Sequence, residues 1–450
     1  MKKLSAIFHS KDVLNRIMFS LAIFLIFRIG SAITVPGVTV SESAFSSGDI
    51  LSLMNLMGGG ALQSFSLFAL GVSPYITSQI IIQLLQTDVL PTLTELSKEG
   101  ESGRKRIEMT ARYLTLLLGA VQAYGIIITM QNSQGLTILD SSVWGYTKII
   151  IYLLAGTMLI MWLGDQITEK GIGNGISMII FAGIVSGLPK QIIGAFQLYL
   201  GEKILTDDAS LILEGTVQLA LYVLAYFLII VAVTFVEKSE RRLPVSHSAS
   251  SQSLSSSTAK SNFLPLKINS SSVIPVIFAS SLLMAPSILV SFIAGSNPPQ
   301  WATTMINVFN YQALTEMPGY NSTTWSMPWG LLIYLVLIIF FCYFYANLQV
   351  NPEKIATNFQ ESGTYITGLR PGIETQKYIS KVLNRITFIG AISLSAIAAL
   401  PVVLSLTNAV PASLALGGTG LIIVVGVAIE INNQIDGLLA GKNYEKGGNR

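Results

Sequence analysis

The residue types that ordinarily do covalent or metal chemistry are few in this chain and poorly placed for it. The 450 residues include one cysteine, Cys342, and two histidines, His9 and His247. Cys342 falls inside an apolar run, with no second cysteine for a disulfide and no companions for a metal cluster. The histidines stand in separate polar segments and lack ligand spacing. GIGNG, residues 171–175, resembles a phosphate-cradling loop only in its glycines, because no Lys-Ser/Thr pair follows. A tight turn between two apolar runs accounts for it better. Asp165 and Glu169 read as members of a short loop, and Glu430 lies near the end of an apolar run. No carboxylates therefore pair at mid-depth, as a proton relay or ion-coupled carrier would require. The expectation is a protein that is not an enzyme, with no metal and no cofactor.

Polar but uncharged side chains within the apolar runs are the remaining candidates. Thr77, Ser78, Gln79 and Gln83 interrupt the second run, Gln122 the third, and Ser280 and Ser281 the seventh. Two readings stand. They are hydrogen bonds between helices, worth about 0.6 to 2 kcal/mol each, or they line a seam whose helices separate and admit a polar guest. Proline and glycine at Pro74, Pro275, Pro286, Pro401, Gly417 and Gly418 mark places where helices bend or approach closely.

The elements that hold these residues follow from composition. With 51% hydrophobic and 11% charged residues and a mean hydropathy of +0.61, the chain reads as an integral membrane protein. A bilayer core takes roughly 20 apolar residues per helix. Ten candidate spans are centred on residues 17–27, 75–85, 113–130, 149–164, 176–188, 219–236, 273–292, 329–348, 386–404 and 415–431. Connections alternate between basic and nearly uncharged. Lys and Arg gather in the N-terminal segment, in 87–112, at Lys170, in 237–272, in 349–385 and in the tail. The opposite loops carry none, except Lys190 and Lys203. Lys and Arg are retained on the cytoplasmic side, so both termini are expected there. The first apolar run lacks a small-residue cleavage site and reads as a span.

PTLTELSKEGESGRKRIEMTARYLTLLLGAVQAYGI, GTMLIMWLGDQITEKGIGNGISMIIFAGIVSGLP, LPLKINSSSVIPVIFASS and TGLRPGIETQKYI resemble segments of the SecY family, the channel-forming subunits of the bacterial protein translocase. The similarity runs in order from about residue 12 to about residue 440. It implies an all-α membrane protein of ten helices in two pseudo-symmetric five-helix halves, an inverted repeat. These would be residues 17–190 and 215–433, flanked by a cytoplasmic N-terminus at 1–16 and a tail at 434–450.

The resemblance also implies site roles. The glycine-rich stretch before the second span, within about residues 50–66, would be a short plug helix. Its residues are Met54, Asn55, Leu56, Met57, Gly58, Gly59, Gly60 and Leu62, with Phe65 adding apolar contact. Read without the family, it could equally be an amphipathic helix on the outer leaflet. Motif matching places an apolar pore ring on Val72, Ile76, Ile176, Ile180, Ile277 and Ile397. Such a ring resists ions by dewetting. The lateral gate, spans two and three against seven and eight, would be lined by Thr77, Gln83, Gln122, Asn269, Ser281 and Ala285.

Loops 237–272 and 349–385 would dock a motor or ribosome through Arg241, Arg242, Lys267 and Arg370. Basic tips suit ribosomal RNA and acidic surfaces, although positive-inside topology explains the same charges. The implied partners are SecE-like and SecG-like small membrane subunits, a SecA-type ATPase or a ribosome, precursor polypeptides and the lipid bilayer of a bacterial plasma membrane. The sequence departs from the family in a serine-rich stretch, VSHSASSQSLSSSTAKSNF at 245–263, in NFQES at 358–362, in Ser270–Ser272 and at Ala285. An inverted-repeat secondary transporter or small-solute channel is the alternative, with GIGNG and the glutamines as its site.

Overall fold

Inside a bilayer each backbone N–H and C=O must find its partner within the segment, so long apolar runs become helices. The computed structural model describes residues 7, 10–41, 55, 58–86, 90–132, 135–201, 203, 209–247, 263–294, 299–311, 314–318, 324–407 and 412–448. His9, Met54, Leu56, Met57 and the serine-rich tip 248–262 lie outside the described residues, and of His247 only the backbone is described.

The first half comprises α1 (Lys11–Ala32), β1 (Val38–Val40), α2 (Ser73–Gln86), α3 (Pro91–Lys98), α4 (Glu101–Asn132), β2 (Leu136–Ile138), α5 (Val143–Lys170) and α6 (Gly175–Phe196), which continues into a π-helical turn at Gln197–Gly201. The second comprises α7 (Ala209–Lys238), β3 (Glu240–His247), β4 (Phe263–Lys267), α8 (Ile274–Ala294), α9 (Gln300–Phe309), β5 (Thr315–Pro318), β6 (Thr324–Met327), α10 (Trp329–Gln349), α11 (Pro352–Glu361), β7 (Thr364–Ile366), α12 (Ile373–Leu406) and α13 (Ala412–Gly448).

Nine described helices are long and apolar enough to cross a membrane, against ten expected spans. The exception is α2, whose 14 residues reach about 21 Å at 1.5 Å per residue. Its amino end is set by the preceding segment, which runs as turns from Gly58 to Val72. Gly59, Gly60 and Gly71 take positive φ, as does Phe65 at 42°. That stretch is therefore turned where a helix could have been drawn from sequence, with helical backbone at Asn55. Asp165 and Glu169 stand within α5 and not in a loop, and Asp165 accepts from Arg112 Nη2 of α4 at 2.8 Å.

The two halves pack by one pattern. In the first, α2 lies on α4, α4 on α5, α5 on α6, and α1 on α5 and α6. In the second, α8 lies on α10, α10 on α12, α12 on α13, and α7 on α12 and α13. Each pair maps onto its counterpart five spans later, and an odd number of spans per half inverts the second. The halves meet along two edges: α2 and α4 against α8, and α1 and α6 against α13. One continuous apolar core links them. A smaller one lies under an antiparallel sheet of order β4-β3-β7, where Leu243 and Leu266 pack on Val382 and Ile386 of α12.

Candidate functional site

Of the six isoleucine and valine positions expected to form a ring, five stand on four different helices and Val72 ends the turned segment just ahead of α2. Ile76 lies in the first turn of α2, with its N–H bonded to Val72 O at 3.0 Å. Ile176 and Ile180 lie on α6, Ile277 opens α8 and Ile397 lies deep in α12. Val72, Ile76, Ile180 and Ile277 are buried members of the main core, and Ile176 and Ile397 are half-buried against it. Ile176 packs toward its own half, beside Gly164 of α5.

The turned segment ahead of α2 is seated against α1, α5 and α6. Val35 N–H donates to Phe65 O and Leu67 N–H to Ile33 O, both at 3.0 Å. Phe68 stacks on Phe27 of α1 with ring centroids 5.7 Å apart, and the Leu67 carbonyl lies against Gly156 of α5. Ala61, Leu62 and Phe65 are buried. Asn55 Oδ1 accepts from Gln63 N–H at 2.8 Å, and its carbonyl accepts from Gly60 N–H. Gly59 fixes the upper end. Its φ is +69°, a Cβ there would stand 2.7 Å from Gly183 Cα of α6, and its carbonyl accepts from Arg28 Nη1 at 3.2 Å. Only glycine fits both constraints without strain.

The edge between α2, α4 and α8 is close-packed and weakly bonded. A Cβ on Gly125 of α4 would meet Ile288 Cγ2 of α8 at 2.6 Å, and Tyr124 sits edge-on to Phe292 with centroids 5.2 Å apart. Thr77 Oγ1 bonds back to Ser73 O within its own helix. Gln122 Oε1, Ser281 Oγ, Ser287 Oγ and Ser73 Oγ are buried without a hydrogen-bond partner among the described residues. Buried polar atoms left unpaired cost roughly 1–3 kcal/mol each. Gln83 accepts from the Tyr345 hydroxyl of α10, and Ala285 is half-buried on α8. Asn269 stands apart from this edge, donating to Glu237 Oε1 of α7 at 2.8 Å.

GIGNG is a turn whose backbone the protein itself satisfies. Gly171 O accepts from Arg16, Gly173 N–H donates to Gln434 Oε1 of α13, and Gly175 N–H donates to Thr168 Oγ1. Asn174 caps α6 by accepting from Ile176 and Ser177 N–H. Among the described residues, no donors remain convergent there for a phosphate.

At the end of the bundle that carries the three-stranded sheet, Arg241, Arg242, Lys267 and Arg370 are all exposed. Arg242 is held by Glu240 at 2.7 Å and lies over the Phe263 ring, 4.7 Å from its centroid. Arg370 is placed through its backbone: its N–H donates to Glu374 and its carbonyl accepts from Thr375 Oγ1, at the start of α12. Pairing of Val245 with Ile366 and of His247 with Thr364 joins the two basic loops into one surface.

A sequence profile of the SecY family matches residues 66–432. The chain belongs to the SecY family. It is 41% identical to protein translocase subunit SecY 1 of Lactobacillus kefiranofaciens over 97% of both chains, and 41% identical to protein translocase subunit SecY of Bacillus subtilis over 98% of both. Its fold is similar to a structure described as that of a protein conducting channel, with a TM-score of 0.65 at 16% identity, covering 95% of this chain and 92% of that one. A second neighbour, described as showing that the plug domain of the SecY protein stabilizes the closed state, gives a TM-score of 0.63 over the same shares at 16% identity. SecY-family motifs pointed to none of Arg28, Tyr345, Glu237 and Ser287. Arg28 carried one usable signal, a charge within an apolar run, whereas Glu237 stands where its run gives way to a basic loop.

Proposed function

We propose that this chain is the protein-conducting channel of a bacterial Sec translocase, passing unfolded secretory polypeptides across the plasma membrane and releasing transmembrane segments sideways into lipid. The observation that carries the reading is the pairing of near-full-length SecY similarity with two like-packed halves that meet along an edge of α2, α4 and α8, helices carrying buried polar atoms without a partner among the described residues. Such an edge opens at low cost, because wetting it satisfies groups that are orphaned when it is closed.

In this reading the halves are residues 17–190 and 215–433, with both termini cytoplasmic, as the basic loops favour. Val72, Ile76, Ile176, Ile180, Ile277 and Ile397 form the constriction, and the segment around Gly59 closes it from the outer side. Thr77, Gln83, Gln122, Ser281 and Ala285 line the lateral gate. Asn269 is assigned elsewhere, since its bonds run to α7. The exposed arginines and lysine of the sheet surface receive a SecA-type ATPase or a ribosome, while SecE-like and SecG-like subunits brace the bundle. The partner supplies the energy, and this chain supplies the path.

Photocrosslinking from Ile76 and Ile277 to a precursor stalled in transit tests the proposal. Signal-dependent crosslinks at both positions are expected. Their absence in membranes that demonstrably export other substrates would refute the pore and favour a small-solute channel.

A further inference from the structure

The link between β4 and α8, residues 268–273, is anchored at both ends and through Asn269. Ile268 N–H donates to Ser239 O at 2.9 Å, closing the base of the β3–β4 hairpin, and the Ile268 carbonyl lies against Gly390 of α12. Val273 lies against Gly426 of α13. Between them Asn269 is 3% exposed and uses its whole carboxamide. Nδ2 donates to Glu237 Oε1 at 2.8 Å and to Ser272 O at 2.9 Å, and Oδ1 accepts from Ser271 Oγ at 3.2 Å. Glu237, also 3% exposed, closes α7. The charges acting on it are Lys267 of β4 and Glu430 of α13. Ser272 holds a φ of 52°, a left-handed conformation that costs a non-glycine residue energy and persists only when the surroundings enforce it.

A flexible connection of this length would absorb any displacement of the sheet. This one is tied at both ends, by Ile268 to Ser239 and by Val273 against Gly426, and between them by the Asn269 carboxamide to Glu237 and Ser272, and close-packed interiors transmit strain. Its far end is the first turn of α8, the helix that forms one side of the edge against α2 and α4. We infer that Glu237, Asn269 and the turn at Ser272 form a rigid joint that delivers a load on the β4-β3-β7 sheet to α8, so that docking at the sheet acts on the lateral gate. The inference rests on the channel reading proposed above. Asn269 and Glu237 are positioning residues, touching neither the precursor nor the docked partner.

The test reconstitutes the full chain with its small membrane subunits in proteoliposomes, with a SecA-type ATPase, ATP and a signal-bearing precursor. It reads the ATPase concentration for half-maximal transport separately from the maximal transport per folded channel. Asn269→Asp sets two carboxyl groups against each other. It is expected to lower maximal transport about tenfold, the worth of one buried hydrogen bond, while the half-maximal concentration stays unchanged. Combining it with Glu237→Gln restores a carboxyl–carboxamide bond with the ends exchanged, and most of the transport should return. Should Asn269→Asp fail to accumulate, Asn269→Ser, which lacks the reach to Glu237, replaces it, with the same fall in maximal transport and the same unchanged half-maximal concentration expected. Undiminished maximal transport overturns the joint, as does an exchanged pair no better than Asn269→Asp, or a loss explained by weaker ATPase binding. An unaltered chain that transports nothing under these conditions would remove the channel reading itself.

Discussion

Gly59→Ala tests the seating of the plug segment most directly. An alanine at φ +69° enters the left-handed region, at a cost of roughly 1–2 kcal/mol. Its Cβ would also stand 2.7 Å from Gly183 Cα and 3.3 Å from Gly183 O, so backbone on both sides must part. Overpacking of this kind adds about 1–2 kcal/mol. The sum, about 2–4 kcal/mol against the seated state, raises the ratio of displaced to seated plug about 30-fold to 10³-fold. Ion leak through reconstituted channels and export of a precursor with a crippled signal segment would both rise. Gly60→Ala is the control. It shares a positive φ, +84°, but meets nothing within 4 Å, so it carries only the torsional cost of about 1–2 kcal/mol. A Gly59→Ala channel that accumulates normally and leaks no more than the Gly60→Ala channel would show that contact with Gly183 does not hold the plug.

Tyr345→Phe removes the hydroxyl that reaches Gln83 across α2 and α10; loosening by about 1 kcal/mol should let less hydrophobic signal segments engage, as measured by the export threshold of a graded signal series. Gln122→Leu deletes a buried oxygen without a partner among the described residues, so the same threshold should rise. Arg370→Glu alters an exposed side chain, so thermal stability should change by less than about 0.5 kcal/mol while vesicle binding of the motor or ribosome falls. Unchanged binding would move docking off that surface.

Sequence periodicity located every long span because a run of apolar residues has one stable form in lipid. It misjudged the surroundings of α2. The turns at Gly59, Phe65 and Gly71 depend on tertiary contacts with Phe27, Gly156 and Gly183, which local propensity does not encode. Asn269 reads as a polar residue at the mouth of a gate helix. Its carboxamide turns to Glu237, 32 residues earlier in the chain, and only the packing of α7 on α12 and α13 reveals that choice. The two basic loops likewise look independent until strand pairing between β3 and β7 merges them. Arg28 was visible within an apolar run and Glu237 at the end of one, but their partners are main-chain and amide groups that no charge pattern announces.

The repeated packing of five helices also orders the birth of the molecule. Helices of the first half find α2·α4, α4·α5, α5·α6 and both α1 contacts among themselves. A chain leaving the ribosome amino end first can therefore complete that half as a unit before α7 is made. Contacts of α8 with α2 and α4 must wait for the second half of synthesis, and those of α13 with α1 and α6 for its end. Until then the sides of α2 and α4 that receive α8 lack their partner helix, so the half-made protein depends on whatever shields that flank in the membrane.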